Sequence, residues 1–566
     1  MQTKRLTLHL PTKKQGIALL LGLLCGLGCS GLWAIHLPWL ASLVPLVMLL
    51  GCGYLTPQKI AGAYRGKGWV LPTLLVGAAL AAVMLLETVK DPYYAGWYLP
   101  PYKAVAGGLL LSLCVTPTLT AAMAELSAKA RQNRWNRTEE PFPKLGFFAA
   151  MLAPLLIAWA INFPYLDVFD VQYQLEMIHG QVPLNDVHTM AHTFLLWLVG
   201  GQPVVLVAVQ LVALAVLLTA FGSWFYRQGL GVFCLTAGFS VFSLCPTVMQ
   251  IAVSPIKDLP AALCMGAALY YIMRLLAGDL RWSWGHRIAF GASLAFTGLL
   301  RHNGFVFVVV AAVWLLIKSI RKRKMIAVVA VCLLCVVGVD AVGYRLLGAK
   351  SPANGFAVQV YATGIVAVDR RGGEITPDQR QRMEQLLPMD YVEYCLSNPE
   401  TEGRTLAQRL CWTRDLGQYT PSEREASFAP LLQDGDGTND VFNNLFILAA
   451  GQHPKEIGEL YLELFAQNPW LCISEIIKNT TSIWRLDRGL VLFSHVFYLI
   501  GLGLAFVVVG KRAGRLFPVL LPILCNVASV VVAASTDEIR YLLPTFVLTM
   551  PTVLFLILHQ PMEKEN

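Results

Sequence analysis

Asp170 and Gln174 stand four residues apart in the segment Asn162-Phe163-Pro164-Tyr165-Leu166-Asp167-Val168-Phe169-Asp170-Val171-Gln172-Tyr173-Gln174. That spacing puts both on one face of a short helix. The segment starts where an apolar run ends. A carboxylate at such a place can take a proton from a hydroxyl or an amine, or bind a metal ion. It can also be an ordinary helix cap or a solvated loop acid. Asp167 offers the same chemistry three residues earlier. Farther along comes Asn185-Asp186-Val187-His188-Thr189-Met190-Ala191-His192-Thr193, in which His188 and His192 repeat the four-residue spacing. Two imidazoles on one helix face suit a metal or a phosphate. The Glu of a zinc-protease motif is missing, which argues against hydrolytic zinc. The plain reading is a pair of hydrogen-bonded histidines at an interface.

Three more polar clusters sit at the ends of apolar runs. Ser254-Pro255-Ile256-Lys257-Asp258 opens one run, Arg301-His302-Asn303 tops a pair of short ones, and Asp537-Glu538-Ile539-Arg540-Tyr541 opens the last, with Pro544 one turn on. A single cation at a helix end is commonly a snorkelling anchor. Lys257, Arg301 and Arg540 together, beside acidic loops, make a set suited to a phosphorylated lipid headgroup. Ionisable groups at a lipid boundary are costly and default to functional candidates.

The elements that must position these residues are membrane helices. Of 566 residues, 56% are hydrophobic and 14% charged, too apolar for a soluble surface. The apolar residues come in blocks such as 16–35, 70–86, 104–124, 147–163, 204–221, 325–347 and 541–558. Each is long enough to cross a hydrocarbon core of roughly 30 Å as a helix. The pattern predicts an all-α polytopic protein of about fourteen spans, with twelve as the lower bound. Runs 288–300 and 305–317 are read as a helical pair, with one broken helix as the competing reading. With the N-terminus inside, the basic loops 56–68, 125–144 and 318–324 and the Lys511-Arg512 cluster all fall on one side, and loop 164–202 on the other holds no Lys or Arg. That predicts N-in and C-in. The net charge of +9 therefore serves orientation, and no nucleic-acid module accompanies it.

The domain plan is a four-span module at 1–144, a membrane core at 145–349 with its first outer loop at 164–202, an extracytoplasmic domain of mixed or helical structure at 350–488, and three further spans at 489–566. Ten of the thirteen cysteines lie in apolar blocks. Cys395, Cys411 and Cys472 lie in the polar domain, where Cys395 and Cys411 can pair if the compartment is oxidising. Asp434-Gly435-Asp436-Gly437 is read as a turn, since it lacks the full spacing of a calcium loop. Asn479-Thr480-Thr481 fits a glycosylation sequon, a weak pattern.

Pro164, Asp170 with Gln174, His188 with His192-Thr193, Lys257-Asp258, Arg301-His302-Asn303-Gly304 and Arg540-Tyr541 with Pro544 together resemble the GT-C superfamily of integral-membrane glycosyltransferases. The likeness is greatest to a poorly characterised bacterial branch of it and covers roughly residue 147 to the end. Tyr165 and Thr189 depart from that branch, which has Gly and Pro there. The resemblance implies a GT-C-like helical bundle in the bacterial plasma membrane. It further implies transfer of a sugar from a polyprenyl-phosphate donor to a glycan, lipid or protein acceptor on the extracytoplasmic face. Asp170 would be the base with Asp167 in reserve, and His188 would hydrogen-bond the donor. Gln174, His192, Lys257, Asp258, Arg301, Asn303, Arg540 and Tyr541 would bind substrate or donor phosphate. A divalent cation, Mg2+ or Mn2+, held by Asp170 and His188, is permitted and not required. The competing functions are a transporter or flippase of a lipid-linked saccharide, which predicts polar clusters in both leaflets, and a non-catalytic envelope-assembly protein.

Overall fold

The computed structural model describes residues 70–86, 123–130, 141–185, 188–243, 245–280, 283–319, 323–349, 355–399, 405–411, 419–428, 430–433, 444–479, 499–505, 513–533 and 539–559, with isolated positions 112, 116, 120 and 132. Most of the 1–144 module, Asp186, Asp537, Glu538 and the turn at 434–437 lie outside the described residues.

All regular elements among the described residues are helices. The membrane part comprises α1 (Val70–Leu86), α2 (Lys144–Ile161), α3 (Phe169–Ile178), α4 (Met190–Leu198), α5 (Pro203–Arg227), α6 (Val232–Ser243) and α7 (Pro246–Ala252). It continues with α8 (Asp258–Ala277), α9 (Trp284–Leu300), α10 (Gly304–Ser319) and α11 (Arg323–Gly338). The polar domain holds α12 (Gly355–Arg370), α13 (Pro377–Leu386), α14 (Met389–Ser397), α15 (Leu406–Cys411), α16 (Leu445–Gln452), α17 (Pro454–Gln467) and α18 (Pro469–Asn479). The chain then returns through α19 (Leu521–Ala533) and α20 (Leu543–Leu558).

Five helical segments among the described residues are long and apolar enough to cross a membrane: Lys144–Ile161, Pro203–Arg227, Asp258–Ala277, Gly514–Val531 and Arg540–Leu558. The arrangement of α5 shows why lipid is their solvent. Its inner face, Leu206, Leu211, Leu214 and Leu218, is buried, while Val205, Val209, Val212 and Val216 form an exposed stripe. An apolar side chain left in water forgoes about 1.5–3 kcal/mol, so an apolar stripe on both faces fits a helix with protein on one side and lipid on the other. The chain is thus a membrane-embedded, polytopic helical protein.

Local signals set the helix ends. Pro203 occupies the first turn of α5 and Arg227 its last, complementing the helix dipole. Asp258 opens α8, Arg274 lies in its last turn, and Gly278 ends it at φ +73°. The runs at 288–300 and 305–317 form two helices packed on each other. Arg301, in extended conformation at φ −145°, ends α9. A Cβ on Gly304 would run into the Thr297 carbonyl oxygen, so the turn closes only with glycine there.

The membrane helices share one core, with α8 central against α9, α5 and α20, and α2 against α5. The polar domain has a core of its own, built on α12 with α16, α17 and α18 around it. Its described residues are wholly helical, narrowing the expected mixed domain. α13 starts with a capping box between Thr376 and Gln379. Cys395 and Cys411 are buried and not joined in a disulfide, and burial pushes Cys411 up to about 12. Asn479 of the sequon is 7% exposed and its Oδ1 accepts from the Ala407 N–H, which leaves no room for a glycan.

Candidate functional site

Four chain segments meet around Asp170. The segment after α2 is bound to the segment after α7 by the Leu166 N–H, which donates to the Val253 carbonyl at 3.0 Å. Gln210, in the middle of α5, donates from Nε2 to the carbonyls of Ala252 (2.8 Å) and Ser254 (2.7 Å), fixing the loop that carries Lys257. The Thr189 hydroxyl donates to the Leu300 carbonyl at 2.9 Å, so the His188 segment is tied to the end of α9. These are polar groups satisfied inside an apolar body, where leaving them bare costs about 1–3 kcal/mol each.

Within that frame Asp170, in the first turn of α3, accepts a hydrogen bond from Arg540 Nη1 at 3.0 Å. His188 Nδ1 stands 3.8 Å from the same carboxylate oxygen and 3.4 Å from Lys257 Nζ. Burial by itself raises the Asp170 carboxyl. The positive charge of His188 when protonated, then Arg540 and Lys257, outweighs burial and brings it down to about 2. Burial, with Lys257 beside it, pushes His188 down to about 3 against the pull of Asp170. The same two causes bring His192 to about 3. Burial also lowers Lys257, with Asp170 and Asp258 opposing. Both imidazoles are therefore neutral at neutral pH, and the contact between His188 and Asp170 is not an ion pair there. The cation in contact with Asp170 is the Arg540 guanidinium, and Lys257 stands on the other side of His188.

The two histidines take opposite tautomers. Lys257 can only donate, so His188 Nδ1 accepts and its proton lies on Nε2. His192 Nδ1 lies 2.8 Å from Gln174 Oε1, so it donates, while Gln174 Nε2 donates to the Thr193 hydroxyl at 3.0 Å. Gln174, His192 and Thr193 thus form a buried chain linking α3 to α4. Tyr173 presents its ring edge to His188, with centroids 5.9 Å apart, and accepts at its hydroxyl from Asn185.

A second pair lies behind the first. Arg301 Nη2 is 3.4 Å from Asp258, and neither side chain is more than 6% exposed. Arg301 Nη1 also donates to the Tyr541 carbonyl at 3.1 Å. The Tyr541 ring has Arg301 at 5.2 Å and Arg540 at 5.4 Å, so it sits between the two guanidiniums and joins the pairs.

Most residues singled out by sequence are brought together here, with three revisions of place. Asp167 is exposed and accepts from Gln172 in the adjoining start of α3. It does not reach the cluster. Arg301 and Asp258 are engaged with each other and do not face Asp170 directly. Asn303 lies in the turn between α9 and α10, without a side-chain partner among the described residues. The expected option of a divalent ion on Asp170 and His188 does not fit the donors. A metal there would have to displace the Arg540 guanidinium from the carboxylate and Lys257 from the His188 Nδ1, and among the described residues no three His, Cys, Asp or Glu side chains are grouped to hold one ion. Sequence reading passed over Gln210, Tyr173 and Asn185. A glutamine in mid-span is itself a signal that could have flagged Gln210.

Comparison with protein-family models, with curated proteins and with solved structures found no match to this chain.

Proposed function

We propose that this chain is a membrane glycosyltransferase, moving a sugar from a polyprenyl-phosphate-linked donor to an acceptor on the extracytoplasmic face. The observation that carries the reading is the Asp170 carboxylate bonded to Arg540, 370 positions away, with His188 and Lys257 gathered beside it. The order of the motifs, which resembles the GT-C pattern, supports it from the sequence side.

In the proposed step the acceptor hydroxyl gives its proton to Asp170 as its oxygen bonds to the sugar's anomeric carbon. The bond from that carbon to the phosphate oxygen breaks, and the lipid phosphate leaves with one more negative charge than it arrived with. Arg540 and Lys257 meet that charge where it develops. A carboxylate near 2 is a weak base. As the donor phosphate takes over Arg540, Asp170 loses the cation that holds it low and gains basicity. His188 offers an Nε2 proton to an oxygen of the donor.

The test is transfer of labelled sugar from polyprenyl-phosphate donors by the purified protein in nanodiscs, comparing wild type with Asp170→Asn. The expected result is transfer by wild type and a loss of about 10²–10⁴-fold in the variant. An active wild type matched by the variant would remove Asp170 from the base role. A wild type that consumes no donor across a broad panel would sink the enzyme reading in favour of a flippase or an assembly protein.

A further inference from the structure

α18 is folded inside out. Its face toward the polar domain carries Cys472, Glu475 and Asn479 at 0, 2 and 7% exposure. Arg371 binds Glu475 and donates to the Ser474 hydroxyl at 2.8 Å, and Asn479 accepts from the Ala407 N–H. The opposite face carries Trp470, Ile473 and Ile477 in the same i, i+3, i+7 spacing. Trp470 is 79% and Ile477 55% exposed. A helix on a water-facing surface buries its apolar stripe and shows its polar one. Here the polar stripe is turned inward, where Arg371 pairs with one oxygen of Glu475, and the apolar stripe points out, with Ile473 half-buried between its exposed ends.

Three observations say what covers that stripe. α18 packs against α19, which belongs to the membrane-length segment Gly514–Val531, so the helix lies next to the membrane-spanning bundle. The sequence enters the apolar run at 489–509 ten residues after Asn479, a tether of at most about 35 Å. An indole at one end of the stripe and the exposed Lys478 at the other are the groups that settle at headgroup level, with rings or stems in the apolar layer.

We propose that α18 lies in the plane of the lipid–water interface, with Trp470, Ile473 and Ile477 in the acyl-chain boundary, and so seats the polar domain on the bilayer. The seat ties the domain to the membrane through side-chain burial in addition to its chain connections. It does not depend on the glycosyltransferase reading.

The full chain is placed in phospholipid vesicles whose acyl chains carry bromine, a short-range quencher. The protein has 14 tryptophans, so Trp470 is read as the difference in emission between wild type and Trp470→Phe, a conservative change at an exposed site. The expected difference signal is blue-shifted, lost with brominated lipid and insensitive to aqueous acrylamide. Quenching by acrylamide and not by bromine would place the stripe in water and overturn the proposal. Quenching by neither would overturn it too, since protein, such as a second copy of the chain, would then cover the face.

Discussion

Replacing Arg301 with Met removes the cation beside Asp258 and keeps most of the side-chain volume. Asp258 is fully buried and, among the described residues, neither of its carboxylate oxygens has a hydrogen bond. Its ion-pair partner among them is Arg301 at 3.4 Å, with Lys257, its chain neighbour, also interacting with it electrostatically. At an effective dielectric of about 20, two unit charges at that distance attract by roughly 5 kcal/mol, against a desolvation cost of several kcal/mol per ion. The pair's net contribution is therefore small, but breaking it from one side is not. Arg301→Met is expected to cost about 3–5 kcal/mol because it strands a buried carboxylate. Asp258→Asn costs less, because Arg301 keeps the Tyr541 carbonyl and ring. The double variant is expected to be much more stable than the sum of the singles, with a coupling of roughly 2 kcal/mol or more. Reversible unfolding of the four proteins in mixed micelles measures the cycle. If the singles add to within about 0.5 kcal/mol, or if Arg301→Met is neutral, then Arg301 does not hold Asp258. The link from α8 through Tyr541 to Arg540 would fail with it.

Two further outcomes follow from the site. Asp170 has a folded value of about 2 against an ordinary 3.8, so its stabilisation is complete above about pH 4 and is lost as pH falls toward 2. The wild type should exceed Asp170→Asn in stability at neutral pH through the Arg540 pair, with the gap closing in acid. A gap that stays flat or widens there contradicts the ion pair. The Gly304→Ala Cβ meets the Thr297 carbonyl, so that variant is expected to lose about 1–3 kcal/mol. Gly146→Ala, whose Cβ meets nothing, should leave thermal stability unchanged or raise it, and equal effects from both would refute the tight turn.

Much of the local geometry was legible in the sequence. The four-residue spacings of Asp170 with Gln174 and of His188 with His192 follow from helical periodicity alone. The helical pair around Arg301 was separable because three polar residues and a glycine interrupt an apolar run. The polar domain's reversed helix was not, because an apolar stripe in sequence carries no label for inside or outside.

The sequence by itself determined that this chain lives in a membrane, since blocks of apolar residues that long have no other solvent, and it marked which polar residues sit at the block ends. The tertiary structure decided who pairs with whom. Asp170 meets Arg540 across 370 positions, Gln174 pairs with His192, Arg301 goes to Asp258, and Asp167 is left at the surface. Spacing fixes contacts within one or two turns of a helix. Contacts between helices depend on which apolar face packs on which, and faces built from the same Leu, Val and Ala do not encode a partner until shape and buried hydrogen bonds select one.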